Sequence, residues 1–120
     1  ARIPVTLAAN GKASLPTEVK IAFYRIAQEA LNNIAKHSGA RKAAVEMNVN
    51  EDCQLGVIVA ELSITDDGCG FDPGKVTSEH FGLGIMRERA EAAGAKLKVE
   101  TKEDGGTTIL LEWVGNKQIQ

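Results

Sequence analysis

A carboxylate and an amide lie four residues apart in the stretch from Gln28 to His37, which has the pattern of a helix. At that spacing Glu29 and Asn33 share one helix face, where their oxygens suit direct binding of Mg²⁺ and the ordering of a nearby water. Lys36 adds a cation suited to a phosphate oxygen. The same residue types are common on solvated helix faces, so this motif alone leaves both interpretations open.

A second candidate motif, Asp66-Asp67-Gly68-Cys69-Gly70, directly follows an apolar stretch with the pattern of a strand. A carboxylate at a strand end can accept a hydrogen bond from an exocyclic amine, such as N6 of adenine. The glycines let the backbone turn sharply and let a flat ligand approach closely. Asp-Gly clusters also form plain turns, which is the alternative interpretation.

A third motif, Gly82-Leu83-Gly84, stands where a helix pattern begins. Free N–H groups and the helix dipole at such a start favour an anion, and glycines admit a phosphate chain. A loop-to-helix junction with incidental glycines is the alternative. A Rossmann fold and a Walker P-loop are both disfavoured, because neither GxGxxG after a strand nor GxxxxGK[ST] occurs.

The elements that must position these motifs follow from hydrophobic periodicity. The helix patterns run from Pro16 to about His37 and from Gly82 to about Ala93, and Ser38-Gly39 and Gly94 are their predicted ends. The strand patterns are Ile3–Ala8, 43–49, Val57–Ile64, Lys96–Thr101 and Thr107–Trp113, with turns at Asn10-Gly11 and Glu51-Asp52. Two helices and a mostly antiparallel sheet predict a two-layer α+β sandwich.

Length and composition exclude several classes of protein. The 120 residues suit one domain, and the hydrophobic fraction of 43% can form a core, which disfavours disorder. A net charge of −2 and an aromatic fraction of 4% argue against a nucleic-acid partner. Cys53 and Cys69 are too few and too differently placed for a disulfide framework, which favours a reduced, cytoplasmic compartment. With His37 and His80 they also lack zinc-site spacing. No stretch approaches a membrane span in length.

In series, these motifs resemble the GHKL (Bergerat-fold) ATPases, and specifically the sensor histidine kinases of the nitrate- and lipid-sensing subfamily. The resemblance extends from Ile3 to Trp113. It is carried by four stretches that look like the N box, the G1 box, the G2 region and the closing motif of that family: 24–37, Asp66–Phe71, His80–Ala90 and Gly106-Thr107. It implies a mixed, mostly antiparallel sheet that is covered by helices on one face.

The resemblance also implies roles for the residues on the phosphate side of a nucleotide site. Asn33 would bind Mg²⁺, and Glu29 would polarise the attacking group or an associated water. Lys36 and His37 would contact phosphates, although His37 can equally be a cation at the helix C-terminus. The backbone of Gly82, Leu83 and Gly84 would wrap the phosphate chain.

On the base side, the resemblance implies that Asp66 accepts a hydrogen bond from adenine N6. Gly68 and Gly70 would shape the base pocket, and Thr107 would reach the adenine through water. Residues 71–81 would form a lid over ATP.

The resemblance implies transfer of the γ-phosphoryl group of Mg-ATP to a histidine on a separate dimerisation domain of the same protein. A downstream response regulator would be the next partner. His37 and His80 both lie inside nucleotide motifs, so neither is the acceptor. We expect residues 1–120 to be one catalytic domain, monomeric by itself, of a larger protein that is either anchored in a membrane or not. A GHKL-type serine kinase that acts as an anti-sigma factor, or a nucleotide-sensing interaction module without transfer, are the alternatives.

Overall fold

The computed structural model describes residues 5–11, 15–68, 83–101 and 105–116 of the chain. The elements follow one another in the predicted order of strand, helix, two strands, helix and two strands. They are β1 (Val5–Gly11), α1 (Thr17–Asn33), a π-helical turn (Ile34–Ser38), β2 (Ala43–Asp52), β3 (Val57–Asp66), α2 (Leu83–Ala92), β4 (Lys96–Thr101) and β5 (Thr107–Asn116).

The strands form one five-stranded sheet in the order β1-β2-β3-β5-β4. The β1–β2 pair is parallel and the other three pairs are antiparallel. This confirms the predicted α+β class with a mixed, mostly antiparallel sheet. The register aligns one row of residues across the end of the sheet: Val5, Ala43, Asp66, Thr107 and Thr101.

The core lies between the helices and one face of the sheet, as predicted. Alternate residues of β3 are buried, namely Ile58, Ala60, Leu62 and Ile64. The apolar stripe of α1 buries Val19, Phe23, Ile26, Ala30 and Ile34 against them. The opposite face of the sheet carries exposed polar side chains such as Glu61 and Glu112. From Ala60 to Thr65 apolar side chains alternate with polar ones, so the period of two in this half of β3 assigns the strand's faces.

The predicted turn at Asn10-Gly11 is wrong, because β1 continues through both residues and pairs with β2. Gly11 has φ +107°, and a Cβ atom there would overlap the carbonyl oxygen of Val49. Glycine therefore allows a close approach of two strands rather than a turn.

The turn predicted at Glu51-Asp52 instead follows Asp52, which is the last residue of β2. Asp52 Oδ1 accepts hydrogen bonds from the backbone N–H groups of Gln54 (3.0 Å) and Leu55 (3.1 Å). An aspartate that caps its own turn in this way can end a strand without a preceding break in the ladder. β3 and β5 also extend beyond their predicted ends, to Asp66 and Asn116.

The chain stays helical to Ser38, which confirms the predicted end at about His37, but it is α-helical only as far as Asn33. Residues Ile34–Ser38 form a π-helical turn instead. Gly39 then stops the helix with φ +64°, which confirms the stop predicted at Ser38-Gly39.

Candidate functional site

Asp66 is the last residue of β3 and lies in the middle of the row at the end of the sheet. Its Cα partners are Ala43 of β2 and Thr107 of β5. It is 7% exposed, and it is the only buried polar or charged residue in the described part of the chain. Its Oδ1 accepts a hydrogen bond from the backbone N–H of Gly68 at 2.8 Å.

The electrostatics of this carboxyl group are those of a buried acceptor. Burial raises the pKa of Asp66 above its usual value, and the nearby charge of Asp67 adds to that effect. The hydrogen bond from Gly68 lowers the pKa, but its effect is smaller than that of burial. A carboxylate has lone pairs for about four hydrogen bonds. Asp66 can therefore accept a further donor, and such a bond would offset part of its desolvation.

The neighbouring Asp67 is exposed and faces the segment that precedes β2. Its Oδ1 accepts hydrogen bonds from the backbone N–H groups of Arg41 (2.8 Å) and Lys42 (3.0 Å). Its own N–H donates to the carbonyl oxygen of Lys42 at 3.4 Å. The two bonds to its carboxylate lower the pKa of Asp67. The second aspartate of the motif is thus tied to the backbone rather than presented to a ligand.

On the other side of Asp66, the backbone of Gly106 comes very close. Gly106 has φ +79°, and a Cβ atom at this position would overlap the carbonyl oxygen of Asp66. Thr107 follows it, and its Oγ1 lies 2.9 Å from Oγ1 of Thr101 on β4. The structure therefore brings Asp66, Gly68 and Thr107 together at one end of the sheet.

The candidate metal ligands lie on α1, as their spacing predicted. Glu29 and Asn33 are both half-buried, and Asn33 is the last residue of the α-helix. In the described residues, no group of three or more His, Cys, Asp or Glu side chains is arranged to hold a metal ion. Mg²⁺ often takes only one or two protein oxygens and completes its shell with phosphates and waters. The oxygen donors of Glu29 and Asn33 fit that ion.

Lys36 is exposed and belongs to the π-helical turn. A π turn closes i→i+5 hydrogen bonds and is wider than an α-helical turn, so Lys36 is not placed as α-helical spacing predicted. His37 belongs to the same turn, and its side chain lies outside what the structure describes. Single π turns within helices occur frequently at functional sites.

The third motif is described only in part. Leu83 begins α2 and buries its side chain in the core, and Gly84 follows it in the first turn. Any contact of Leu83 with an anion would therefore come from its backbone. Gly70, Gly82 and the lid predicted at 71–81 lie outside the described residues.

The sequence suggested no individual role for Asp67 or Thr101, and it placed Gly106 only in a hairpin turn and in the closing motif. The only signals available were the Asp-Asp doublet and the Gly-Gly-Thr-Thr stretch. Their roles depend on partners in distant segments, which local spacing does not reveal. No helix in the described part of the chain is long and apolar enough to cross a membrane.

Comparison with known proteins bears on this site. A family profile described as "Histidine kinase-, DNA gyrase B-, and HSP90-like ATPase" matches residues 18–116. The chain is 32% identical over 103 residues to the nitrate/nitrite sensor protein NarX of Escherichia coli (strain K12), covering 86% of this chain and 16% of NarX. It is 35% identical over 104 residues to the sensor protein VraS of Staphylococcus epidermidis, covering 87% of this chain and 28% of VraS.

Among solved structures, the fold is similar to the histidine kinase domain of a blue-light activated histidine kinase from Erythrobacter litoralis. The TM-score is 0.69 at 21% identity, and the match covers 92% of this chain and 50% of the other. The family profile and the two sensor proteins confirm the predicted relationship, and the solved kinase domain confirms the fold. The chain spans less than a third of the length of either curated relative.

Proposed function

Because the chain belongs to the family of histidine kinase-, DNA gyrase B- and HSP90-like ATPases, we propose that it binds Mg-ATP and donates the γ-phosphoryl group to a histidine. The acceptor would lie on a separate dimerisation domain of the same protein. The observation that carries this proposal is the buried carboxylate of Asp66, held at the strand end between Gly68 and Gly106.

Adenine recognition is assigned to the end of the sheet. Asp66 has one carboxylate oxygen in use by Gly68 and retains capacity to accept from the exocyclic N6 amine. Gly68 and Gly70 would shape the base pocket, because glycines let a flat ligand approach the backbone closely. Thr107 pairs with Asp66 across the sheet, so its hydroxyl is near enough to reach the base through a water.

Phosphate and metal binding are assigned to α1 and to the start of α2. Asn33 would hold Mg²⁺, which supplies charge neutralisation to the phosphate chain when bound. Glu29 would orient the attacking group or a water, and Lys36 and His37 would pair with phosphate oxygens. Backbone N–H groups of Gly82, Leu83 and Gly84 would bind the chain at the helix N-terminus. Positioning and charge neutralisation are the main requirements of phosphoryl transfer.

The remaining partners are inferred from the relatives, which are named sensor proteins. Residues 1–120 would form one catalytic domain of a longer, two-component sensor kinase, on the cytoplasmic side if that protein is anchored in a membrane. A response regulator would receive the phosphoryl group from the acceptor histidine. His37 and His80 belong to the nucleotide motifs, so we assign neither as the acceptor.

The first test is calorimetric titration with a non-hydrolysable ATP analogue, with and without Mg²⁺. We expect saturable binding by the wild type and no detectable binding by Asp66→Asn, which replaces an acceptor oxygen by a donor NH₂. Asn33→Ala should bind with no dependence on Mg²⁺. Asp52→Asn is a matched control, because Asp52 is an aspartate at the opposite end of the β2–β3 pair. It should bind like the wild type.

A wild-type chain that binds no ATP analogue would refute the proposal. If binding is observed, the dimerisation domain of the same protein is added with radiolabelled ATP and transfer is measured. Labelling of that domain that is lost in Glu29→Gln supports a kinase. Binding without any labelling would identify instead a nucleotide-sensing interaction module.

A further inference from the structure

Three hydrogen bonds join Asp67 to the two residues that precede β2. The side-chain Oδ1 accepts from the N–H groups of Arg41 and Lys42, and the Asp67 N–H donates to the Lys42 carbonyl oxygen. They lie just beyond Ala43 and Asp66, the last Cα pair of the β2–β3 ladder. The side chain of Asp67 is exposed, so it adds little to the core by burial. Its contacts concern the path of the backbone.

That path determines where the carboxylate of Asp66 points. Asp67 is the only residue between Asp66 and Gly68, whose N–H donates to Asp66 Oδ1. On the opposite side, Gly106 already lies against the Asp66 carbonyl oxygen. The strand end is thus held from two sides: by the Arg41–Lys42 segment through Asp67, and by the backbone at Gly106.

We propose that Asp67 is a positioning residue for base recognition, which fixes the Asp66–Gly68 turn and thereby sets the preference for adenine over guanine. The inference rests on the proposed function of Asp66 as the acceptor for N6. Guanine presents a carbonyl oxygen where adenine presents an amine, and a fixed, buried acceptor rejects that oxygen because neither group can donate. A site built to hydrogen-bond one group discriminates strongly against an analogue that lacks it. An acceptor free to turn away loses this discrimination.

The test measures the dissociation constants of non-hydrolysable ATP and GTP analogues by calorimetry, for the wild type and three Asp67 variants. Asp67→Ala removes the acceptor for both N–H groups. Asp67→Glu keeps the charge but moves the carboxylate by one methylene. We expect both variants to bind the ATP analogue about tenfold more weakly, with little change for the GTP analogue. A tenfold change corresponds to the net free energy of about one hydrogen bond, here the bond from the base to a correctly oriented Asp66. Asp67→Asn keeps an Oδ1 acceptor and should retain most of the preference for the ATP analogue.

Asp52 provides a matched control for a merely structural effect. Its Oδ1 also accepts from two backbone N–H groups, those of Gln54 and Leu55, but at the opposite end of the β2–β3 pair. Asp52→Ala should therefore lose a similar pair of bonds and leave the ratio of ATP to GTP affinity unchanged. Amide hydrogen exchange gives a readout without nucleotide. The N–H groups of Arg41, Lys42 and Gly68 should exchange faster in Asp67→Ala than in the wild type.

Each outcome separates the two proposals. If the wild type prefers the ATP analogue and Asp67→Ala retains the same ratio, the role of Asp67 is refuted and the proposed function stands. Equal losses for both analogues would also refute it, because they indicate general loosening of the domain. If the wild type binds neither analogue, both proposals are refuted together. Circular dichroism of each variant identifies any that fails to fold, in which case Asp67→Glu replaces Asp67→Ala.

Discussion

Replacing Gly106 by alanine tests whether the close backbone approach at Asp66 matters to both stability and nucleotide binding. The added Cβ would lie closer than 3.0 Å to the Asp66 carbonyl oxygen, a separation that real Cβ atoms essentially never show. It would also lie 3.4 Å from the Cα of Asp67. All of these neighbours are backbone atoms, so relief requires that the end of β3 moves.

The loss of stability expected in Gly106→Ala has two parts, and the same substitution at a second glycine separates them. Gly106 has φ +79°, and Gly56, in the turn between β2 and β3, has φ +67°. An L-residue in this region loses about 1–2 kcal/mol of stability from backbone strain alone. A Cβ at Gly56 meets nothing within 4 Å, so Gly56→Ala should show only that part. Gly106→Ala should lose about 1–3 kcal/mol more, the usual range for forced displacement of packed groups.

The assay is urea denaturation of both variants. It is followed by titration with the ATP analogue without urea, at a temperature where both variants are folded. Gly106→Ala should unfold at a lower urea concentration than Gly56→Ala and bind the analogue more weakly, because Asp66 moves with its carbonyl group. Gly56→Ala should bind like the wild type. Equal unfolding free energies and equal affinities in the two variants would refute the reasoning.

Three further predictions concern stability. Because the pKa of Asp66 is raised in the folded state, its ionisation opposes folding, and this loss of stability grows as pH rises through the folded pKa. Asp66→Asn should therefore be more stable than the wild type at pH 7, and thermal melts should show the difference shrinking toward pH 3. Glu61 and Glu112 are exposed and directly opposite on β3 and β5, so Glu61→Lys should raise the free energy of unfolding by about 0.2–1 kcal/mol. Salt near 1 M should remove most of that gain, and a gain that survives it would point to another cause. Ile26 is fully buried, so Ile26→Val should lower the unfolding free energy by about 0.5–1.5 kcal/mol in urea, and no loss would contradict its place in the core.

The parts of the fold that the sequence predicted are those governed by short periods. Alternation along β3 identified the buried face, and the apolar stripe of α1 identified the helix surface that packs on it. The order of elements and the α+β class followed from these patterns. The ends of elements followed less well, because they depend on partners elsewhere in the chain. Gly11 resembles a turn residue locally, and only its approach to Val49 explains why β1 continues.

The candidate site divides in the same way. Glu29 and Asn33 were predicted on one helix face because four residues make about one turn, and both lie half-buried on α1. The turn beyond them was not predicted, since nothing in Ile34–Ser38 distinguishes a π turn from an α-helical one by composition. The contacts of Asp67 join residues 25 and 26 positions apart in the chain. A spacing rule within one motif does not contain them.

The burial of Asp66 is more easily explained by ligand binding than by stability. Desolvation is the main cause of its raised pKa. It disfavours the charged form and makes the folded chain less stable at neutral pH. The hydrogen bond that its carboxylate accepts from Gly68 only partly offsets that effect. A donor that arrives with a ligand would complete the compensation, because buried carboxylates are tolerated when they are fully hydrogen-bonded. The ATP analogue should therefore bind more weakly as Asp66 is protonated at low pH, and the control Asp52→Asn should show the same loss. An affinity that stays constant at low pH would contradict this account.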